Sequence, residues 1–274
     1  MRRSSGRIVV QAALWALALL HVYPLILILF SALKSKSELA YFPFSPPKRI
    51  TFEHFHTALE TMSYFRSLFN TVLLTALSVG LITLIASAAG YAIARRGGWF
   101  YNGLYLFFLA GLIVPFQMTM IPLYKLIIKL HLINTFTGVT SVYLSLLIPF
   151  SLFFYTGFVK NVPKELEEAA VIDGAGMLRT FASVVFPLLK PATATVAVLN
   201  AFVVWNDFLM PLLFLPSRGK QTLVVQLFNF VGQYFNNWSP IFAAILLIVY
   251  PMLIVYLFAQ RFMIKGITAG AMKG

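Results

Sequence analysis

The sequence predicts an all-α, polytopic membrane protein with six transmembrane helices. Three observations predict it. First, 60% of the 274 residues are hydrophobic and only 11% are charged, against about a quarter charged in an ordinary soluble domain. Such a chain carries more apolar surface than one water-facing core can hide, and a bilayer is the plain solution. Second, flanking charges cut the chain into apolar runs long enough to span. Third, the second half is interrupted by one polar, helix-forming island of any size, PKELEEAAVIDGAGMLRTFASVVFP at 163–187.

A spanning helix needs about 20 predominantly apolar residues. The runs that meet this are 8–33, 67–94, 97–124, 130–159 and 191–217, with a longer one at 221–260. The last is too long for one helix. Asn236, Asn237, Trp238, Ser239 and Pro240 mark an interfacial turn in it, so the sixth span is expected to start near Ile241. Arg2, Arg3 and Arg7 before the first run resemble the start of a secretory signal. However, a run of 8–33 exceeds the 7–15 residues of a signal core and no small-x-small site follows, so it reads as an uncleaved span. The segment 34–66 is the longest loop, and its His54 and His56, two apart, do not share a helix face. No metal site is assigned there, and His21 and His131 read as structural.

With both termini inside, twelve of the 21 Lys and Arg fall on the cytoplasmic side and nine outside. The short-loop rule that puts positive charge inside therefore favours both ends in the cytoplasm. The net charge of +13 does not point to nucleic acid, because the basic residues sit singly or in pairs between apolar runs. With no cysteine, disulfides, iron–sulfur clusters and thiolate metal sites are excluded.

The island has explicit local chemistry. Pro163 suits a first helical turn, where its missing N–H costs nothing. Glu165, Glu167 and Glu168 place negative charge at the positive end of the helix dipole. Leu166, Ala169, Ala170 and Asp173 share one face, whose middle is small enough for another backbone to approach. A merely lipid-resting helix would carry bulky Leu, Phe or Trp there instead. Gly174 and Gly176 can both take the left-handed conformation that ends a helix. A second short helix is expected from Met177 until Pro187 stops it.

These residues carry a resemblance. Glu168-Ala169-Ala170, three residues, Gly174, nine residues and Val184-x-Phe186-Pro187 resemble the EAA loop of ABC importer permeases. Val184 and Phe186 stand where the family usually has Ile and Leu. Pro163-Lys164-Glu165-Leu166, Asp173-Gly174 and Trp205-Asn206-Asp207-Phe208-Leu209 are similar to the carbohydrate-uptake branch. So is the ending Gln260-Arg261 … Lys265-Gly266-Ile267-Thr268-Ala269-Gly270 … Lys273-Gly274. The second permease of maltose and oligosaccharide importers is the type it resembles most, over residues 8–274.

The resemblance implies a type I importer permease, one transmembrane domain over 1–274, with the loop 160–189 and the tail 264–274 in the cytoplasm of a bacterium or archaeon. It implies that Glu168, Ala169, Ala170, Asp173 and Gly174 couple to an ATPase subunit, and that Lys265, Gly266, Gly270 and Lys273 in the tail reach that subunit. Implied partners are a homologous second permease, an ABC ATPase dimer that binds the ATP and Mg, an extracytoplasmic solute-binding protein and the lipid bilayer. No cofactor is expected in this chain. Alone, the tail is too short and Gly-rich for a stable helix.

Within the spans, Asp207 is the one acidic residue, and such groups face a cavity or a partner. Pro211 four residues on displaces the carbonyl of residue 207 from the helix ladder. Gln117 lies between Pro115 and Pro122 in the third span. Gln117, Asn206 and Asp207 are therefore the candidate substrate-pathway residues; the alternative for each is an interhelical or intersubunit hydrogen bond. A chain without GxxxxGK[ST] cannot cradle ATP phosphates and must borrow its energy. An ion-coupled secondary transporter would show paired repeats and more intramembrane charge. A membrane enzyme would need HExxH or a second acid, and no catalytic residue is assigned. Other importer solutes, glycerol phosphate or a polyamine, remain alternatives to a sugar.

Overall fold

The computed structural model describes residues 2–233 and 238–271, and every regular element among them is helical. Helix α1 (Arg2–Leu33) is followed by α2 (Lys36–Tyr41), α3 (Glu53–Thr61) and the long α4 (Tyr64–Arg96). Next come α5 (Gly98–Gly111), α6 (Phe116–Lys129) and α7 (Phe136–Lys160), then the short α8 (Glu165–Ile172) and α9 (Met177–Thr180). A π turn at Phe181–Val185 leads to α10 (Phe186–Leu188). The chain continues through α11 (Lys190–Asn206), α12 (Leu209–Phe214), α13 (Leu223–Gln233) and α14 (Trp238–Ala271).

Four of these helices carry unbroken segments able to cross a bilayer: Arg7–Leu33, Tyr64–Arg96, Phe136–Lys160 and Trp238–Gln260. Two further segments are broken where single helices were expected. The run 97–124 is α5 and α6, bent by 101°. Pro115 forces the break: it lacks an N–H, and it drives Val114 out of the helical region. The run 191–217 is α11, bent by 77° from the helical segment before it. It breaks again at Asp207, whose ψ of 129° is extended. With 17 residues, α11 rises about 25 Å. Of the expected turn at 236–240, residues 236 and 237 lie outside the described residues, and Trp238 already opens α14.

The helical backbone of α14 continues through Ala271, because a tail that cannot nucleate alone can extend an existing helix. Gly266 and Gly270 lie in that helical backbone, whereas the Lys265 side chain and all of Lys273 lie outside the described residues.

By packing, the chain divides into two compact units: Met1–Arg66 with Gln226–Pro251, and Ser67–Val225 with Met252–Gly274. In the first, α1 shows apolar side chains such as Leu14, Trp15 and Leu19 on its surface, as a lipid-facing helix must. Lys34, the charge that follows the first apolar run, is fully buried. Its Nζ donates to the Phe42 carbonyl at 2.7 Å and the Pro43 carbonyl at 3.0 Å. Burial lowers its pKa, with the Glu38 charge opposing.

The second unit has two apolar clusters. One joins Ala86, Tyr91, Leu152, Tyr155, Val185 and Val196. The other joins Leu74, Ile127, Val139, Tyr143, Val204 and Phe214. Small residues bring α4 onto α7: a Cβ at Gly90 would lie 3.0 Å from Tyr155 Cβ and 3.1 Å from Thr156 N. Between α7 and α11, the buried Asn200 amide donates to Ser151 Oγ at 2.9 Å.

Candidate functional site

The island at 163–187 folds as two short helical limbs joined by a glycine turn. Helix α8 begins with Glu165, Glu167 and Glu168 in its first turn, where the free N–H groups favour negative charge. It ends in a Schellman motif. Gly174 N–H donates to Val171 O and Ala175 N–H to Ala170 O, each at 2.9 Å, with Gly174 at φ +80°. A Cβ there would meet nothing within 4 Å, so glycine is required by conformation and not by space. Gly176 corrects its expectation. Its φ of −70° and ψ of 165° are extended, and it caps α9 in place of turning left-handed.

Pro187 does not stop the second limb. The π turn moves the hydrogen-bond register, with Phe186 N–H reaching Phe181 O, so the missing N–H of Pro187 falls at the start of α10. The bend comes at Leu189.

Two side chains that the sequence reading did not single out, Arg95 and Tyr91, anchor this island to α4 through Glu167. Arg95 Nε donates to Glu167 Oε1 at 2.7 Å, and its Nη2 lies 2.7 Å from the same oxygen. That Nη2 also donates to the Val162 carbonyl at 2.7 Å. Tyr91 OH donates to Glu167 Oε2 at 2.9 Å, and the Tyr91 ring lies 5.3 Å from that of Phe181. The Arg95 and Glu167 side chains are only 11% and 13% exposed. The next residue, Arg96, reaches Met177 Sδ at 3.1 Å. Tyr91 and Arg95 stand one turn apart on α4, so both reach one side. That spacing was the available signal, but nothing local says which acid they meet.

Glu167 thus faces inward. Glu168, Ala169, Asp173 and Gly174 face outward, with Ala170 half-buried. The outer end of the island is apolar: Ile172 is 85% and Leu178 83% exposed. A cavity of about 460 Å³ opens between the limbs, lined by Glu168, Val171 and Met177 beside Tyr91 and Glu167.

The pathway candidates separate. The Asp207 carboxylate accepts from Tyr143 OH at 2.8 Å, from Leu209 N–H at 2.9 Å and from Met210 N–H at 3.3 Å. It therefore caps α12 and ties the break to α7, an interhelical role. Asn206 is exposed and donates to the Phe202 carbonyl at 2.8 Å. Gln117 is exposed in the first turn of α6, next to the other broken segment. The structure does not bring Gln117 into the Asp207 hydrogen-bond set.

Residues 82–268 match the family described as "Binding-protein-dependent transport system inner membrane component". The melibiose/raffinose/stachyose import permease protein MelC of Bacillus subtilis is 35% identical over 275 residues, covering 100% of this chain and 99% of that protein. The multiple sugar-binding transport system permease protein MsmG of Streptococcus mutans is 38% identical over 261 residues, covering 93% of each. Among solved structures, a chain of a bacterial ABC transporter involved in importing the acidic polysaccharide alginate superposes with a TM-score of 0.78 at 24% identity, covering 95% of this chain and 98% of that one. At that identity the likeness speaks to the fold alone.

Proposed function

Since this chain belongs to the inner-membrane components of binding-protein-dependent transport systems, we propose that it is a permease subunit of an ABC importer that carries a carbohydrate across the cytoplasmic membrane. Its full-length similarity to permeases named for melibiose, raffinose and stachyose and for multiple sugars is what favours a sugar over glycerol phosphate or a polyamine.

The observation that carries the mechanism is the island. An acid-led helix with an outward small-residue face and an exposed apolar end, Ile172 and Leu178, is held on a spanning helix by a part-buried ion pair. That is the form of a surface waiting for a protein groove. Glu168, Ala169, Ala170, Asp173 and Gly174 dock an ATPase subunit, which binds the ATP and Mg. Closure of the ATPase dimer pulls the island and switches the pathway between outward and inward access. A homologous second permease completes the pathway, and an extracytoplasmic binding protein delivers the sugar. Both termini and the loop 160–189 lie in the cytoplasm, with the end of α14, including Lys265, Gly266, Gly270 and Lys273, directed to the ATPase. Asn206 and Gln117 face the pathway, and Asp207 shapes the break beside Asn206.

Two variants test this. Gly174→Pro cannot take φ +80°, and Glu168→Lys with Ala169→Leu reverses a charge and adds bulk on the docking face. Both should insert in the membrane at normal level and lose ATPase association or uptake of radiolabelled raffinose. Normal uptake in both variants would sink the coupling assignment.

A further inference from the structure

Nothing in the coupling role of the island requires Arg95, Tyr91 or Glu167, yet these make its shortest side-chain contacts to α4. A buried ion pair is a poor device for stability, since desolvation offsets most of its attraction. What it supplies is geometry. Each Glu167 oxygen has a donor, and Arg95 also holds the Val162 carbonyl ahead of α8. The guanidinium therefore fixes α8 at two points, its first turn and the chain leading into it. Tyr91 reaches both limbs, with its hydroxyl on Glu167 and its ring against Phe181. Arg96 reaches the second limb at Met177. Residues on one end of α4 thus grip both limbs of the island. Immediately beyond them, Gly97 and Gly98 take φ +56° and +86°, which separates α4 from α5.

We propose that Tyr91, Arg95 and Glu167 form a clamp that makes α8 and α4 move as one body, so that α4 is the spanning helix that receives displacement of the island. These are positioning residues, and the inference rests on the island being the coupling element. Helix α4, with the clamp near its Arg96 end, is 33 residues long, about 50 Å at 1.5 Å per residue, enough to carry a displacement across the whole membrane.

The chain has no cysteine, so spin labels can be placed at will. Labels at Ala88, exposed on α4, and at Glu165, exposed on α8, report their separation in the purified importer complex, nucleotide-free and trapped with ATP and vanadate. In the unaltered clamp the separation should change by less than about 2 Å on trapping, the scale of a single helix shift. In Glu167→Gln, and in Arg95→Met with Glu167→Leu, which keeps volume while removing both charges, it should change by more and the distribution should broaden. A change above that limit in the unaltered complex overturns the clamp, as does identical behaviour in the variants. Failure of every variant to assemble also overturns it, since the contact would then serve folding only. The docking variant Glu168→Lys with Ala169→Leu keeps the two ideas apart. If it keeps both the ATPase and normal uptake, the coupling reading fails, whereas the nucleotide-free separation of α4 and α8 still reports the clamp.

Discussion

Removing the Asp207 side chain should destabilise the permease without altering the surface around it. In Asp207→Ala the first N–H groups of α12 lose their side-chain acceptor, which costs about 1 kcal/mol. Tyr143, only 1% exposed, also loses the acceptor 2.8 Å from its hydroxyl, and a buried unsatisfied donor costs about 1–3 kcal/mol. The expected loss is therefore about 2–4 kcal/mol, near the lower figure because membrane hydrogen bonds average about 0.6 kcal/mol in double-mutant cycles. Asp207→Asn keeps the size and one carbonyl oxygen, which can accept from Leu209 N–H or from Tyr143, so it should lose about 1 kcal/mol. Tyr143→Phe removes the donor and should make the second change in the Asp207→Ala/Tyr143→Phe pair cheaper, by about 0.6–1.7 kcal/mol of coupling. Equilibrium unfolding of the detergent-solubilised subunit measures stability, and sugar uptake normalised to complex measures function. A stable Asp207→Asn variant with uptake abolished would refute the capping account and place the carboxylate in the pathway.

Three other outcomes follow from the same geometry. Gly90→Val should lose about 1–3 kcal/mol by overpacking, because its Cβ would sit 3.0 Å from Tyr155 Cβ; the assay is again unfolding, and an unchanged midpoint would contradict the close approach of α4 to α7. Lys34→Met should destabilise by about 1–3 kcal/mol, since the carbonyls of Phe42 and Pro43 lose their donor; a neutral effect would mean that water replaces the ammonium. A cysteine at position 164 should be protected from an impermeant thiol reagent in intact cells and react after lysis, and labelling of intact cells would reverse the orientation.

The membrane class and the position of the polar island were legible because both rest on local quantities: charge density, run length, and the residue types that start and end helices. The left-handed Gly174 could be read because a helix ending in Asp-Gly has few other solutions. Gly176 could not, because the next helix starts at once and requires an extended cap. The broken third and fifth segments were half legible. Pro115 and Pro211 announced disruption, but a proline in a span can kink a helix or end it, and neighbouring packing selects which.

By itself, the sequence determined that the chain spans a membrane through apolar helices, and that one acid-led, glycine-turned segment stands apart from them. Those properties follow from each segment's own solvation and backbone preferences. Only the tertiary structure decided what the polar groups do. Asp207 turned out to cap a helix and meet Tyr143, 64 residues away in the chain, and Glu167 was drawn inward by an arginine 72 residues before it. Lys34, a flanking charge by sequence, was enclosed by its own loop. A buried polar group must find a partner wherever the fold brings one within about 3 Å, and that choice is made by packing between distant segments, which no local pattern encodes.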